Sequence, residues 1–283
     1  VDFLGEGESI TAVFTITVTD DEGATDTQDV TITITGANDA ATITASVSED
    51  TSVTEAGGVD NSTAGDPDAS GVLTVSDVDS GQTVFAAVAA GDLIGTYGTF
   101  TFNETTGAWT YTLDPDLSDG LVDAQEVNDT LTVASIDGTA SETITVDIVG
   151  ANDAPEMTAS GVLVNATEGN GSVIVDGGFL IADIDSVYLH SATMELTTDS
   201  NLDFLQYDEL NGISGIFDQV TDTLTLTGNA TVSEYEAALR SISFQAEGAS
   251  VEMRTAEITT SVFDGTNHSA DVTTAVSIMA MAT

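Results

Sequence analysis

The stretch "YGTFTFNETTGAWTYTLD", residues 97–114, decides the fold. Phe100 and Phe102 run into a turn at Asn103 to Gly107, and Trp109, Tyr111 and Leu113 return with Thr110 and Thr112 between them. Period-two alternation puts the apolar side chains on one face of a strand pair, and the Asn and Gly at the bend suit a hairpin. Aromatics aligned on that inward face read as core rather than as a sugar-stacking platform.

The alternation extends in both directions. "VFTITVT" (13–19) presents Phe14, Ile16 and Val18 on one side, and "DVTITITG" (29–36) answers with Val30, Ile32 and Ile34, which predicts a half-buried hairpin. Its counterpart is "LTVASIDGTASETITVDIVG" (131–150), with Leu131 and Val133 before the turn and Ile144, Val146 and Ile148 after it. "TGANDA" (35–40) likewise returns as "VGANDAP" (149–155), so that Gly36 recurs as Gly150, 114 positions later. Residues 1–39 therefore read as the last strands of one repeat, already strand-like from Val1, and residues 40–153 as a complete second copy. Residues 154–283 form a different unit with one short helix in "TVSEYEAALRSISF" (231–244). There Thr231 and Glu234 have capping-box spacing, Tyr235 and Leu239 share a face, and Arg240 meets the helix C-terminus. The expected fold is all-β: tandem β-sandwich domains in an extended array.

Forty-eight acidic residues face two basic ones, Arg240 and Arg254, for a net charge of −46. Phosphate contacts need Lys and Arg, so nucleic acid is excluded as a partner, and anionic membrane surfaces with it. Disorder is excluded too, because 41% of residues are apolar and mean hydropathy is positive. No run is long and apolar enough to insert in a membrane, and without cysteine there is no disulfide framework or thiolate site. His190 and His268 have no nucleophile motif nearby, so nothing points to an enzyme. Seven asparagines lie in N-x-Ser/Thr: Asn61, Asn103, Asn128, Asn165, Asn170, Asn229 and Asn267.

Two explanations compete for so much acid: salt adaptation, with carboxylates spread over every surface, or divalent cation binding, with carboxylates clustered at turns. Acid does cluster at strand ends, in "SEDTSVTE" (Glu49, Glu55), "SDVDSG" (Asp77, Asp79), "TEGNG" (Glu168), "ADIDS" (Asp183, Asp185), "FDG" (Asp264) and both "ANDA" segments. An Asp-x-Asp at a strand end turns both carboxylates to one side, a pair able to hold one ion. Neither pair continues as an EF-hand loop, so any calcium would gather oxygens from several loops. Asp and Asn also favour turns for backbone reasons, which leaves solvated turns as the alternative.

The segments "SGVLTVSDVDSG", "GTYGTFTFNETTGAWTYTLD" and "TITVDIVGANDAP" together resemble the VCBS repeat of giant bacterial surface adhesins of the RTX type. The last unit, with "DIDS", "LTLTGNATVSEYEAALRSISF" and "VFDGTNHS", is similar to the cadherin-like repeats that accompany them. The resemblance implies Ig-like or cadherin-like sandwiches, extracellular location at the cell surface after type I secretion, and Ca2+ at the joints. Carried over residue by residue, it groups Asn38 and Asp39 with Glu49 or Glu55, Asp77 and Asp79 at a first joint. It groups Asn152 and Asp153 with Glu168, Asp183 and Asp185 at a second, to which Asp137 could add. The glycine-aspartate nonapeptides of the RTX secretion end are absent, so the resemblance implies an interior segment. The function implied is a calcium-stiffened extender that holds an adhesive region away from the cell in adhesion and biofilm. Its partners would be neighbouring repeats of the same chain. Two alternatives stay open: a subunit of a surface layer, sheath or filament joined to other copies by strand donation, and a ligand-binding tip at residues 154–283.

Overall fold

A computed structural model describes residues 1–198, 200, 202–248 and 252–280. The chain forms two compact units. The first comprises Val1–Val53, Asp68–Asp114 and Val127–Ile148. The second comprises Thr54–Pro67, Pro115–Glu126 and Val149–Thr283.

The first unit opens with the hairpin β1 (Ser9–Thr19) and β2 (Thr25–Thr35), antiparallel from Ser9↔Thr35 to Thr19↔Thr25. Residues before Ser9 form a loop, not the strand expected from Val1. Strands β3 (Thr42–Ala45), β4 (Ser52–Thr54), β5 (Asp68–Ser76), β6 (Gly98–Phe102), β7 (Ala108–Leu113), β8 (Glu126–Ala134) and β9 (Ser141–Val149) follow. They pair as a four-stranded sheet, β3-β5-β7-β6, and a three-stranded sheet, β4-β9-β8. Each sheet buries one face: Leu73, Phe100, Trp109, Tyr111 and Leu113 from the first, Leu131, Val133, Ile144, Val146 and Ile148 from the second. The hairpin that decides the fold forms as expected with its aromatics on one buried face, Phe100 opposite Tyr111 and Phe102 opposite Trp109. Gly71 on β5 makes room for the indole, since a Cβ there would lie 2.7 Å from Trp109.

The hairpin β1–β2 departs from expectation. Its alternation predicts a half-buried face, yet Phe14 is 55% exposed, Ile16 52% and Ile32 48%. Two strands make one layer, and burial needs a second layer.

The second unit contains the one-turn helix α1 (Pro115–Ser118), an addition to the expected single helix. Its strands are β10 (Glu156–Thr158), β11 (Val164–Thr167), β12 (Ser172–Ile174), β13 (Leu180–Ala182), β14 (Tyr188–Thr197), β15 (Phe204–Gln206), β16 (Ser214–Asp218), β17 (Thr223–Thr231), β18 (Ser243–Gln245), β19 (Arg254–Phe263) and β20 (Val272–Met279). A six-stranded sheet, β11-β20-β19-β14-β17-β16, is accompanied by a three-stranded sheet, β12-β18-β15, and the pair β10-β13. Helix α2 (Val232–Ser241) carries the chain from β17 to β18, a crossover between sheets. Its capping box closes in both directions, between Thr231 and Glu234. Tyr235 and Leu239 are fully buried among Phe179, Leu189, Met194, Phe244, Ile258 and Ile278. Arg240 bridges Glu236 at 2.7 Å and donates through Nε to the Phe179 carbonyl at 2.7 Å.

Candidate cation site

A carboxylate taken out of water needs donors on its oxygens or a cation beside them. Among the described residues, the buried Asp129, Asp176, Asp203 and Asp264 have a hydrogen-bond donor on each oxygen. Asp129, for example, accepts from Thr96 N, Tyr97 N and the Tyr111 hydroxyl. Six other carboxylate oxygens are buried with no donor: Glu55 Oε1, Asp77 Oδ2, Asp79 Oδ1, Asp153 Oδ2, Asp183 Oδ2 and Asp185 Oδ1. They fall into two groups, one in each unit. Other acidic residues, such as Asp20, Asp21, Glu22 and Asp26, are exposed. Acid is thus both spread and clustered, and the clusters hold the oxygens that lack donors.

In the second unit, Glu55, Asp119 and Asp153 each bring a ligand oxygen to within 4.8 Å of the others. Glu55 enters where its N–H continues the ladder onto Val149 O at 3.0 Å, and its Oε2 accepts from Ala151 N at 3.0 Å. Asp119 follows α1 directly. Asp153 N donates to Asp185 Oδ2 at 3.4 Å, which draws in the Asp183–Asp185 pair with Ile184 turned outward between them. Asn152 Nδ2 donates to Asp264 Oδ2 at 2.9 Å. The Asn61 amide completes the wall, with Nδ2 3.4 Å from Asp119 Oδ1; turned over, its nitrogen meets Asp153 Oδ1 at 3.0 Å and the Ala56 carbonyl at 3.2 Å. A cleft of about 560 Å³, lined among others by Asp60, Asn61, Asp119, Asp153, Met157 and Asp183, opens beside it.

The electrostatics record the crowding. Burial pushes the Glu55 carboxyl up to about 7, with Asp153 adding to the rise. Asp153 rises to about 6 through burial, then Asp119 and Asp185. Asp183 rises to about 7 through burial and the Asp185 carboxyl beside it. Like charges about 4 Å apart repel by roughly 4 kcal/mol at a partly screened surface, so without a cation these groups hold protons that ordinary carboxyls have lost.

The first unit repeats part of this pattern. Asn38 Nδ2 donates to Asp137 Oδ2 at 3.0 Å, Asp39 N to Asp79 Oδ2 at 2.8 Å, and Asp79 N to Asp77 Oδ1 at 2.8 Å. Asp79 is 2% exposed, and its Oδ1 has no donor. Hydrogen bonds from Ser135, Thr139 and Asn38 hold the Asp137 carboxyl well below the usual range.

The grouping expected from the sequence is therefore rearranged. Glu55 belongs with Asp153, not with Asn38 and Asp39, and Asp137 belongs with Asn38, not with Asn152. Glu49 turns back to Ser46 N at 3.3 Å, with its Cγ over Gly71. Glu168 lies elsewhere, ion-paired with Arg254 at 3.0 Å, because a buried guanidinium on β19 needs carboxylates and takes Glu168 and Asp203. Sequence reasoning does not find Asp119 or Asn61; Asp119 follows a proline turn with no spacing signal, and Asn61 stands out only as one of the seven N-x-Ser/Thr asparagines. His190 places Nδ1 against the Asp264 carbonyl, and His268 stacks on Phe263 with ring centres 4.5 Å apart.

Comparison with known proteins gives a distant relative. The chain is 27% identical over 191 residues to Halomucin of Haloquadratum walsbyi strain DSM 16790 / HBSQ001. That match takes in 60% of this chain and 2% of Halomucin. No family model matches the chain. Similar solved structures include the protocadherin GammaB4 extracellular domain, at 14% identity over 96% of this chain and 38% of that one, with a TM-score of 0.34. Drosophila N-cadherin EC1-4 matches at 14% over 99% and 60%, with a TM-score of 0.26. At these scores the likenesses fix neither domain boundaries nor function.

Proposed function

We propose that this chain is a calcium-braced, non-enzymatic segment of a long extracellular surface protein, an extender that holds an adhesive region away from the cell. One observation carries the reading: among the described residues, the buried carboxylate oxygens without donors fall in two clusters, while buried carboxylates outside them have partners. Calcium takes six to eight oxygens from carboxylates, amides, backbone carbonyls and water. The second cluster supplies oxygen ligands alone. Glu55, Asp119, Asp153, Asp183 and Asp185 would hold the ion, with Asn152 and Asp264 locking one another beside them. The ion would take the place of the protons that otherwise offset repulsion among these carboxylates, with an affinity on the order of 0.1 to 1 mM, typical of extracellular modules. The absence of cysteine and the excess of exposed acid suit an exported chain, and a match to 2% of Halomucin suits a segment of something far longer.

Small-angle scattering in calcium and in chelator tests the extender role. Stiffening predicts a larger maximum dimension with calcium; equal dimensions in both would remove it.

A further inference from the structure

The loop ahead of β1 repeats four hydrogen bonds of the loop ahead of β8. Leu4 N donates to Val1 O at 3.2 Å, as Leu121 N does to Ser118 O at 2.8 Å. Glu8 N donates to Gly5 O at 3.0 Å, as Gln125 N does to Val122 O at 2.9 Å. Gly5 N meets the Glu8 carboxylate at 3.1 Å, as Val122 N meets the Gln125 amide oxygen at 3.2 Å. Gly36 N donates to Glu8 O and Gly150 N to Gln125 O, both at 2.8 Å. Gly7 and Ala124 share the left-handed backbone, at φ 80 and 57. In this alignment Asp2 stands where Asp119 stands, and Leu4, buried like Leu121, fills the same place.

The hairpins that follow correspond as well, Phe14 to Leu131, Ile16 to Val133, and Val30, Ile32 and Ile34 to Ile144, Val146 and Ile148. Their environments differ completely. Leu131, Val133, Ile144, Val146 and Ile148 are at most 4% exposed, whereas their counterparts are 37% to 55% exposed. The outer edge differs too: β9 carries β4, with Asp147 N donating to Thr51 O at 2.9 Å, while β2 has β1 as its sole sheet partner among the described residues.

We infer that β1–β2 is the closing hairpin of another sandwich, and that its apolar face is covered by a segment with the strand pattern of residues 42–113, lying N-terminal to it in the same polypeptide. The same element order argues for that source, since in the complete copy β3 to β7 precede the equivalent loop and hairpin. By the same offset, Thr33 N would donate to the incoming edge strand as Asp147 N donates to Thr51 O, and Ala37 N would donate to an incoming carboxylate as Ala151 N donates to Glu55 Oε2. The occupant thereby also brings an acidic side chain toward Asp39, Asp79 and Asp2.

A fusion tests this: a second copy of residues 40–117 placed ahead of Val1 in the full chain, with hydrogen exchange read on β1 and β2. Amides such as Thr33 should exchange at least about a hundredfold more slowly in the fusion than in the 283-residue chain, and Ile32→Asp should abolish that protection. A second fusion, with Phe14→Leu, Ile16→Val and Val30→Ile to match the borrowed segment, guards against poor side-chain fit. Unchanged exchange in both fusions would overturn the inference. So would a dimer of the unfused chain that Ile32→Asp dissociates and the fusion does not, because the face would then belong to a second copy.

Discussion

Asn152 donates its side-chain amide to Asp264, 112 residues further along the chain, at 2.9 Å. Its counterpart Asn38 makes the same bond to Asp137 at 3.0 Å. The recurring Asn-Asp pair is therefore a lock: the asparagine fixes a distant carboxylate while the backbone N–H of the aspartate fixes an Asp-x-Asp pair. Groups that orient ligands from behind typically contribute ten- to a hundredfold in metal affinity. Asn152→Ala should weaken calcium binding at the second cluster by about tenfold, and Asn38→Ala should leave that cluster unchanged; calorimetric titration of both variants checks the pair.

The raised carboxyls give the chelated protein a distinctive pH response. Glu55, Asp153 and Asp183 hold protons up to about 7, 6 and 7 in the fold, above their ordinary range. Proton-linked stability is then present at low pH and lost as pH rises through about 6 to 7, because the folded state binds more protons than the unfolded one in that window. In chelator, Tm should fall between pH 5 and 8; in saturating calcium the fall should shrink, because the ion replaces the protons. Differential scanning calorimetry across that range reads both.

Arg254 is 10% exposed at its side chain and sits between Asp203 and Glu168, which are 0% and 2% exposed. Removing the guanidinium leaves two buried carboxylates without their cation. Arg254→Leu should cost about 3 to 5 kcal/mol in denaturant unfolding of the second unit, with calcium affinity at Asp153 and Asp183 little changed.

Gly150 follows β9 directly, at a point where a Cβ would lie 2.6 Å from Val122 O and 2.7 Å from Leu121 Cβ. Gly150→Ala should destabilise by about 1 to 3 kcal/mol through overpacking against backbone. Gly138 has φ +74 and open space within 4 Å of where a Cβ would stand, so Gly138→Ala should cost only the backbone penalty of about 1 kcal/mol. Chemical denaturation of the two variants separates steric from conformational glycine.

Strand pairing is legible in the sequence because a period of two is a local property: Trp109, Tyr111 and Leu113 announce their shared face within five residues. The capping box of α2 is legible for the same reason. The clusters are half legible. Asp-x-Asp and Asn-Asp advertise themselves by spacing, but which pair meets which depends on β4, α1 and the loop to β8, which bring Glu55 and Asp119 to Asp153 from 98 and 34 residues away. Glu168 has the same local look as Glu55, yet Arg254, 86 residues downstream, claims it. The exposure of β1–β2 is not legible either, since alternation says which face is apolar and not what covers it.

The most direct measurement is calcium titration of the whole chain by calorimetry, beside Asp183→Asn and Glu55→Gln. The proposed site predicts saturable binding on the order of 0.1 to 1 mM in the unaltered chain, and loss of one class of site in each variant with the fold retained by circular dichroism. No saturable heat, or identical isotherms in all three proteins, would contradict a cation held by Glu55, Asp119, Asp153, Asp183 and Asp185.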